Sequence, residues 1–158
     1  MTKKTWAAAV LAAIAAIGAG AGYFYWEAHR YATRDEAVQM VKSAVAEIKA
    51  DQKGTFAAIT AKEPKWRSKD LYPVVYGMSG EVYAHGQNGK QVGLNLMSLR
   101  DPDGKLFVKE RVELASAKDS FWQEYKFTDP ISRMAIQKEA YCEKLGGKLI
   151  VCAGVYKR

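Results

Sequence analysis

The 158-residue sequence has few of the residue types on which catalytic and cofactor sites depend. Its two histidines, His29 and His85, cannot form the clustered ligand set of a zinc site, and no Cys-x-x-Cys-His run is present for haem attachment. It contains no Gly-x-Ser-x-Gly elbow, phosphate-binding loop or dinucleotide fingerprint. Residues 101–104 (Asp-Pro-Asp-Gly) lack the later ligands of a calcium loop and are typical of a turn. With no acid–base pair whose spacing demands catalysis, the chain is predicted not to be an enzyme and to bind no metal or cofactor.

Charge is also missing from one long stretch near the start of the sequence, residues 6–26. At about 1.5 Å per helical residue, this run is long enough to cross the ~30 Å hydrocarbon core of a bilayer. Lys3 and Lys4 precede it, so the positive-inside tendency predicts that the rest of the chain lies outside the cytoplasm. Residues 1–26 are therefore predicted to be a signal anchor, and residues 27–158 a single domain.

The alternative for the same segment is a cleaved signal peptide, because residues 19–21 (Ala-Gly-Ala) are small enough to precede a cleavage site. We favour the uncleaved anchor, since Trp6 at one end and the aromatic residues 23–26 at the other match the aromatic belts of membrane spans. The predicted location is a bacterial inner membrane, crossed once, with the domain in the periplasm. Cleavage would instead give a soluble periplasmic protein.

The formal net charge of +7 is spread along the chain except for one basic run, residues 62–69. A nucleic-acid footprint is usually a denser stripe of lysine and arginine. We interpret the run as a solvated loop, and no nucleic-acid partner is predicted.

Apolar periodicity predicts helices first and strands later. Residues 27–52 show apolar positions at three- and four-residue spacing, as in an amphipathic helix, and a shorter helix is predicted at 55–61. Further along, the predicted elements are strands at 71–76, 81–85, 120–127, 135–145 and 148–156, with a helix at 106–117. The pair Gly146-Gly147 is predicted to be a two-residue hairpin turn between the last two strands. This order predicts an α+β fold with an antiparallel sheet of five strands.

An ordered series of segments in this part of the chain resembles the single Cache domain, a PAS-like extracellular sensor module of bacterial receptors. The matching segments are residues 32–37, 70–76, 79–86, 92–96, 101–105, 107–108, 122 with 125, 138–141 and 154–156. The resemblance implies a PAS-like five-stranded antiparallel sheet with a long N-terminal helix and helices covering one face, preceded by one transmembrane helix. It also implies signal transduction through a small-molecule pocket between the sheet and the loops and helix over it.

Two places depart from the family pattern. Pro73 falls inside the first predicted strand, where it cannot donate a ladder hydrogen bond, so a bulge or a sheet edge is expected there. Residues 128–133 match the corresponding loop of the family poorly.

Within the implied pocket, the residue types favour a small organic anion such as a short pyruvate-like carboxylate. Lys138 would lie in a half-buried strand, where an ammonium needs an anionic partner. Tyrosine hydroxyls donate to carboxylates, histidine adds a pH-switchable donor, and large aromatic residues supply apolar walls. The candidate ligand-binding residues are Tyr72, Tyr76, His85, Phe107, Trp122, Tyr125 and Lys138. Tyr141 is a secondary candidate, because side chains alternate along a strand and it should face away from Lys138.

Several of these residues also have a purely structural interpretation. The Lys138 ammonium would reach solvent if only its stem were packed. Independently of Lys138, Tyr76 and Tyr125 would be ordinary core or cross-strand residues, and His85, at a strand end, would be a surface residue.

The only two cysteines, Cys142 and Cys152, fall at near-mirror positions on the last two predicted strands. Outside the cytoplasm they would form a disulfide if their Cα atoms come within ~7 Å of each other. The alternative is two small buried apolar side chains.

Receptors of the resembled family continue into a second membrane span and a signalling domain, whereas this sequence ends at Arg158. We therefore expect ligand occupancy to be passed to a partner membrane protein, such as a histidine kinase or a chemoreceptor-like protein. The alternative is a structural or accessory subunit of a larger membrane complex with a vestigial pocket. The small residues within 7–22 would then offer a face for helix packing.

Overall fold

The computed structural model of the protein describes residues 30–158. The predictions of an anchor or signal peptide at residues 1–26, and of a domain boundary after residue 26, lie outside the described residues. The chain divides into two units, Met1–Tyr31 and Ala32–Arg158, and the second contains the sheet and the helices that pack on it. Within residues 30–158, no helix has both the length and the apolar character needed to cross a membrane.

Two consecutive helices open the domain. Helix α1 (Arg34–Ala50) begins with a capping box, in which the Thr33 side chain accepts from the Glu36 amide and the Glu36 carboxylate accepts from the Thr33 amide. Helix α2 (Gln52–Thr60) follows at once, because Asp51 ends α1 and its carboxylate caps α2. The break between the two helices, predicted between residues 52 and 55, therefore lies at Asp51.

The remaining regular elements form one antiparallel sheet and one further helix. The strands are β1 (Pro73–Gly77), β2 (Val82–His85), β3 (Ser120–Thr128), β4 (Ala135–Leu145) and β5 (Leu149–Tyr156), and helix α3 is Phe107–Ala117. Their order across the sheet is β2-β1-β5-β4-β3, which confirms the predicted five-stranded antiparallel α+β fold.

Pro73 is the first residue of β1, and this strand lies between two others and not at an edge. At the start of a strand, the missing N–H of proline leaves no gap in the ladder. The β1–β2 pairing is irregular between Val75 and Tyr76, beginning two residues after Pro73, so the bulge and the proline occupy different positions.

The last hairpin has a longer connection than the predicted two residues. Leu145 lies opposite Leu149, so three residues join β4 to β5. The additional residue shifts the register by one step and places Cys142 directly opposite Cys152. Their Cα atoms are 4.1 Å apart, and the two sulfurs form a disulfide.

The helices cover both faces of the sheet, and not one face as expected. Helices α1 and α2 pack on the face that presents Val75, Val151 and Ala153. Helix α3 packs on the opposite face, which we call the α3 face. Strand alternation assigns neighbouring residues to different faces, so each buried strand contributes to two separate apolar cores.

Asp70, just before β1, joins the two ends of the domain. Its buried carboxylate accepts from the Ala32 amide at 2.8 Å and from the Arg158 guanidinium at 2.7 Å. The same guanidinium donates to the buried carboxylate of Asp129 at 2.6 Å. The residues that enter and leave the domain are therefore held at one place.

Candidate ligand-binding site

Six of the seven candidate residues converge on one small cavity on the α3 face. These are Tyr72, Tyr76, His85, Phe107, Tyr125 and Lys138. The cavity is completed by side chains that the sequence did not single out, namely Val74, Gln91, Leu96, Leu99 and Phe127. Between the sheet and the covering helix and loop, these side chains enclose a space of only about 10 Å³.

Strand register explains how Lys138 reaches this cavity. In β4 it lies directly opposite Tyr125 of β3 and opposite Tyr156 of β5. Its side chain passes over Gly154, where an added Cβ would come within 2.8 Å of the lysine Cε. The glycine therefore leaves the space through which the lysine stem runs.

The Lys138 ammonium is buried and forms no ion pair within 4.0 Å among the described residues. The residue is 3% exposed, so the alternative in which the ammonium reaches solvent is wrong. Its Nζ donates to the Tyr72 hydroxyl at 2.9 Å and to the Tyr156 hydroxyl at 3.3 Å. Burial, with repulsion from Arg111 as a second cause, lowers the pKa of Lys138 to about 7.

Tyr156 continues this network and was not among the sequence candidates. Its hydroxyl donates to the carbonyl of Thr128 at 2.8 Å and lies 3.2 Å from the Tyr72 hydroxyl. Two phenol rings also face the ammonium, with centroids 4.2 Å (Tyr72) and 4.6 Å (Tyr156) from Nζ. The groups in contact with the cation are thus hydroxyls and rings, and the carboxylates of Asp70 and Asp129 act on it only from a greater distance.

His85 has a fixed protonation state rather than the switchable one expected from its ordinary pKa. Its Nδ1 accepts from the backbone amides of Gln87 at 3.1 Å and Asn88 at 2.9 Å, which assigns the proton to Nε2. Burial, followed by the charge of Lys138, lowers the pKa of His85 to about 3. The imidazole is buried and stacked on the Tyr72 ring at 5.5 Å, so it is neither a surface residue nor charged near neutral pH.

Arg111 of α3 is a second buried cation, and sequence reasoning missed it. It is 1% exposed, and its Nε donates to the Gln123 side chain at 3.0 Å. Its Cζ lies 4.7 Å from the Tyr76 ring centroid and 5.1 Å from that of Tyr125. Its Nη2 is buried without a hydrogen-bond partner. The available signal was its spacing, four residues after Phe107 on the buried stripe of the helix.

Trp122 and Tyr141 lie on the opposite face of the sheet and do not line this cavity. Trp122 packs under the Arg34 guanidinium, whose Cζ is 3.9 Å from the ring, and its ring centroid is 5.3 Å from that of Tyr141. The physical reason is alternation, because residues 122 and 125 are an odd number of positions apart in β3. The candidate role of Trp122 as a cavity wall is therefore corrected.

A wider cleft of about 370 Å³ adjoins the small cavity. The two share Tyr72, His85, Gln91 and Phe127, and the cleft adds Gln87, Asn88, Thr128, Pro130 and Arg133. The cavity is smaller than the space that one water molecule needs, so a ligand must displace wall side chains to enter. The cleft is the natural route, since it leads from solvent to the walls of the cavity.

Other features of the domain lack comparable chemistry. A groove of about 470 Å³ near the last hairpin is larger, but its lining includes no buried charged side chain. Within residues 30–158, no group of three or more histidine, cysteine, aspartate or glutamate side chains is placed to hold a metal ion. The Lys138 cavity is therefore the candidate site.

The five-stranded antiparallel sheet and its packed helices define a PAS-like fold. The family model described as single Cache domain 2 matches residues 8–156, and the chain belongs to this family. Domains of this family are sensory ligand-binding modules and not enzymes. A search of curated proteins found no match.

Solved structures agree with the fold at low sequence identity. A methyl-accepting chemotaxis protein from Vibrio parahaemolyticus RIMD 2210633 aligns with a TM-score of 0.67 and 18% identity, covering 78% of this chain and 87% of that one. A Cache chemosensory domain solved for its carboxylic acid recognition gives 0.67 and 20%, covering 78% and 92%. A periplasmic sensor domain of a chemotaxis protein gives 0.62 and 22%, covering 78% and 90%.

Proposed function

We propose that this chain is an extracytoplasmic sensor module that binds a short organic acid, of the pyruvate-like class, at Lys138. The observation that carries the proposal is the buried ammonium, which lies within hydrogen-bonding distance of two phenols but within 4.0 Å of no carboxylate in the described part of the chain. A buried cation without a counterion is costly. A ligand carboxylate would supply the missing negative charge beside this ammonium.

The surrounding residues suit a small acid and not a large ligand. Tyr72 and Tyr156 present hydroxyls beside the ammonium, the Phe127 ring centroid lies 5.6 Å from it, and Phe107 lines the same cavity. A site that combines a few polar groups with aromatic walls is typical of small-molecule pockets. The carboxylic acid recognised by one structural relative supports the same ligand class.

Isothermal titration of the full chain in mild detergent tests the proposal directly. The ligands are acetate, propionate, pyruvate and lactate, each paired with its uncharged amide. We expect at least one acid to bind and its amide to bind at least tenfold more weakly, since a charge-assisted hydrogen bond contributes about 1.5–3 kcal/mol. Lys138→Met should abolish acid binding, while Trp122→Phe, on the opposite face, should preserve it. Failure of every acid across the series would refute the proposal.

The location and output of the module follow from the same proposal. We place the domain in the periplasm, tethered to a bacterial inner membrane by residues 1–26, with occupancy passed to a partner membrane protein such as a histidine kinase or chemoreceptor-like protein. The uncharged run at residues 6–26 and the periplasmic sensor domain among the structural relatives support this placement. The intact mass of the purified protein tests the tether, because a mass lacking the first ~20 residues would establish cleavage instead.

One observation favours a second function, that of an accessory subunit with a vestigial pocket. The cavity of about 10 Å³ is nearly filled by its own side chains, as in a site that no longer binds a ligand. The two functions differ in their outcomes. An accessory subunit would co-purify with a membrane complex in mild detergent and bind none of the acids.

A further inference from the structure

The polar groups around the cavity fall into two clusters. The first, which we call the lysine end, consists of Lys138, Tyr72 and Tyr156, already joined by hydrogen bonds. The second, which we call the arginine end, consists of Arg111, Tyr76 and Tyr125. Tyr76 and Tyr125 line the cavity, and the guanidinium lies against both of their rings.

The arginine end carries an unmet hydrogen-bonding capacity. Gln123 holds the Nε of Arg111 at 3.0 Å and is itself fixed by the Phe107 carbonyl at 2.7 Å, so the guanidinium has a defined orientation. Its Nη2 remains buried without a partner. Within residues 30–158, no carboxylate lies within 4.0 Å of this guanidinium. A buried donor of this kind costs stability unless a ligand satisfies it.

Tyr125 links the two ends. It lies directly opposite Lys138 in the β3–β4 register, and its ring stacks on Phe107 at 4.5 Å while also facing the Arg111 guanidinium. Arg111 is not itself part of the cavity lining, but its guanidinium lies against the Tyr76 and Tyr125 rings that form the wall, so two buried cations flank one small aromatic space. Within residues 30–158, neither cation has a carboxylate within 4.0 Å. A single carboxylate compensates one of them, whereas a ligand with two carboxylates compensates both.

We propose, resting on the function proposed above, that the cavity prefers short dicarboxylates, with one carboxylate at the lysine end and the other on Arg111. Arginine suits the second position because its planar fork presents paired donors to a carboxylate. Entry requires outward movement of Gln91, Leu96 and Leu99, which cover the cavity from the loop before α3 and are only partly buried.

The test is isothermal titration of the full chain at constant pH with propionate and pyruvate against malonate, succinate and glutarate. We expect one dicarboxylate to bind about tenfold to a hundredfold more tightly than either monocarboxylate, the range expected for one more charged hydrogen-bonded contact. Its monomethyl ester, which removes one charge with little change in length, should bind like a monocarboxylate.

The variant Arg111→Met separates the two ends. It should weaken dicarboxylate binding about tenfold to a hundredfold and change monocarboxylate binding less than threefold. Arg34→Met removes an arginine from the other face of the sheet and should change neither. Should Arg111→Met fold poorly, Tyr125→Phe keeps the stacked ring and should still weaken dicarboxylates more than monocarboxylates.

The outcomes separate this proposal from the one on which it rests. If monocarboxylates bind at Lys138 and no dicarboxylate binds more tightly, the proposed function stands and the dicarboxylate preference is refuted. Equal weakening of both ligand classes by Arg111→Met also refutes it, since the arginine would then be a structural residue. If neither class binds the unmodified chain, both proposals fail.

Discussion

Replacing Lys138 with methionine should change the way in which stability depends on pH. The folded protein releases the lysine proton above a pKa of about 7, against an ordinary value of 10.5. Between these two values the unfolded chain binds more protons than the folded one, so the free energy of unfolding rises with pH. This gain in the free energy of unfolding is complete only above the unfolded pKa of 10.5, and it disappears as the pH falls from there towards 7.

The size of the effect follows from the two pKa values. Without ligand, the buried lysine lowers the stability of the folded protein by ~4 kcal/mol at pH 7 and by ~2 kcal/mol at pH 9. The unmodified protein should therefore gain ~2 kcal/mol between these pH values. Lys138→Met should show no such gain, and it should be the more stable protein at pH 7 because it leaves no buried charge.

Urea unfolding of the full chain at pH 7, 8 and 9, followed by far-ultraviolet circular dichroism, measures these differences. Lys148→Met, which removes an exposed lysine from the last hairpin, is the matched control and should keep the slope of the unmodified protein. Parallel pH profiles for the unmodified protein and Lys138→Met would refute the conclusion that the ammonium is buried without a counterion.

Three further predictions concern the same domain. The free energy of unfolding should fall by ~2–3 kcal/mol between pH 6.5 and 4.5, because the unfolded chain protonates His85 at a higher pH than the folded chain does. Urea unfolding of His85→Asn, whose Oδ1 replaces Nδ1 as the acceptor, should show a much smaller fall over the same pH range. Affinity for an organic acid should fall by up to ~10-fold per pH unit above pH 7, as Lys138 loses its proton, and a flat titration profile from pH 7 to 9 would show that Lys138 does not hold the carboxylate. Replacing both Cys142 and Cys152 with alanine should lower the free energy of unfolding by ~3 kcal/mol, and equal urea midpoints with and without reductant in the unmodified protein would contradict a stabilising disulfide.

The sheet, and the face of β4 on which Lys138 lies, could be predicted because side chains alternate along a strand with a period of two. That rule correctly turned Tyr141 away from Lys138, and the same rule applied within β3 separates Trp122 from Tyr125 by an odd number of positions. Aromatic character had suggested a cavity wall at Trp122. Strand geometry, and not residue type, decides which core such a residue joins.

Other parts of the site depend on contacts that the sequence does not display. Arg111 lies on the buried stripe of α3, but a charged residue is ordinarily expected in solvent, and only the facing Gln123 and aromatic rings make its burial tolerable. The protonation of His85 depends on the turn that follows it, whose amides of Gln87 and Asn88 point at Nδ1. Such a turn has no signature in the residue types alone.

The carboxylate that joins Ala32 to Arg158 determines where a mechanical load would act. A displacement of residue 32 relative to residue 158 would strain the two hydrogen bonds that both residues make to Asp70. Residues 32 and 158 therefore lie side by side, both bound to the same carboxylate. A circular permutant that fuses these ends through a short linker should fold, because the fusion follows a path that Asp70 already closes.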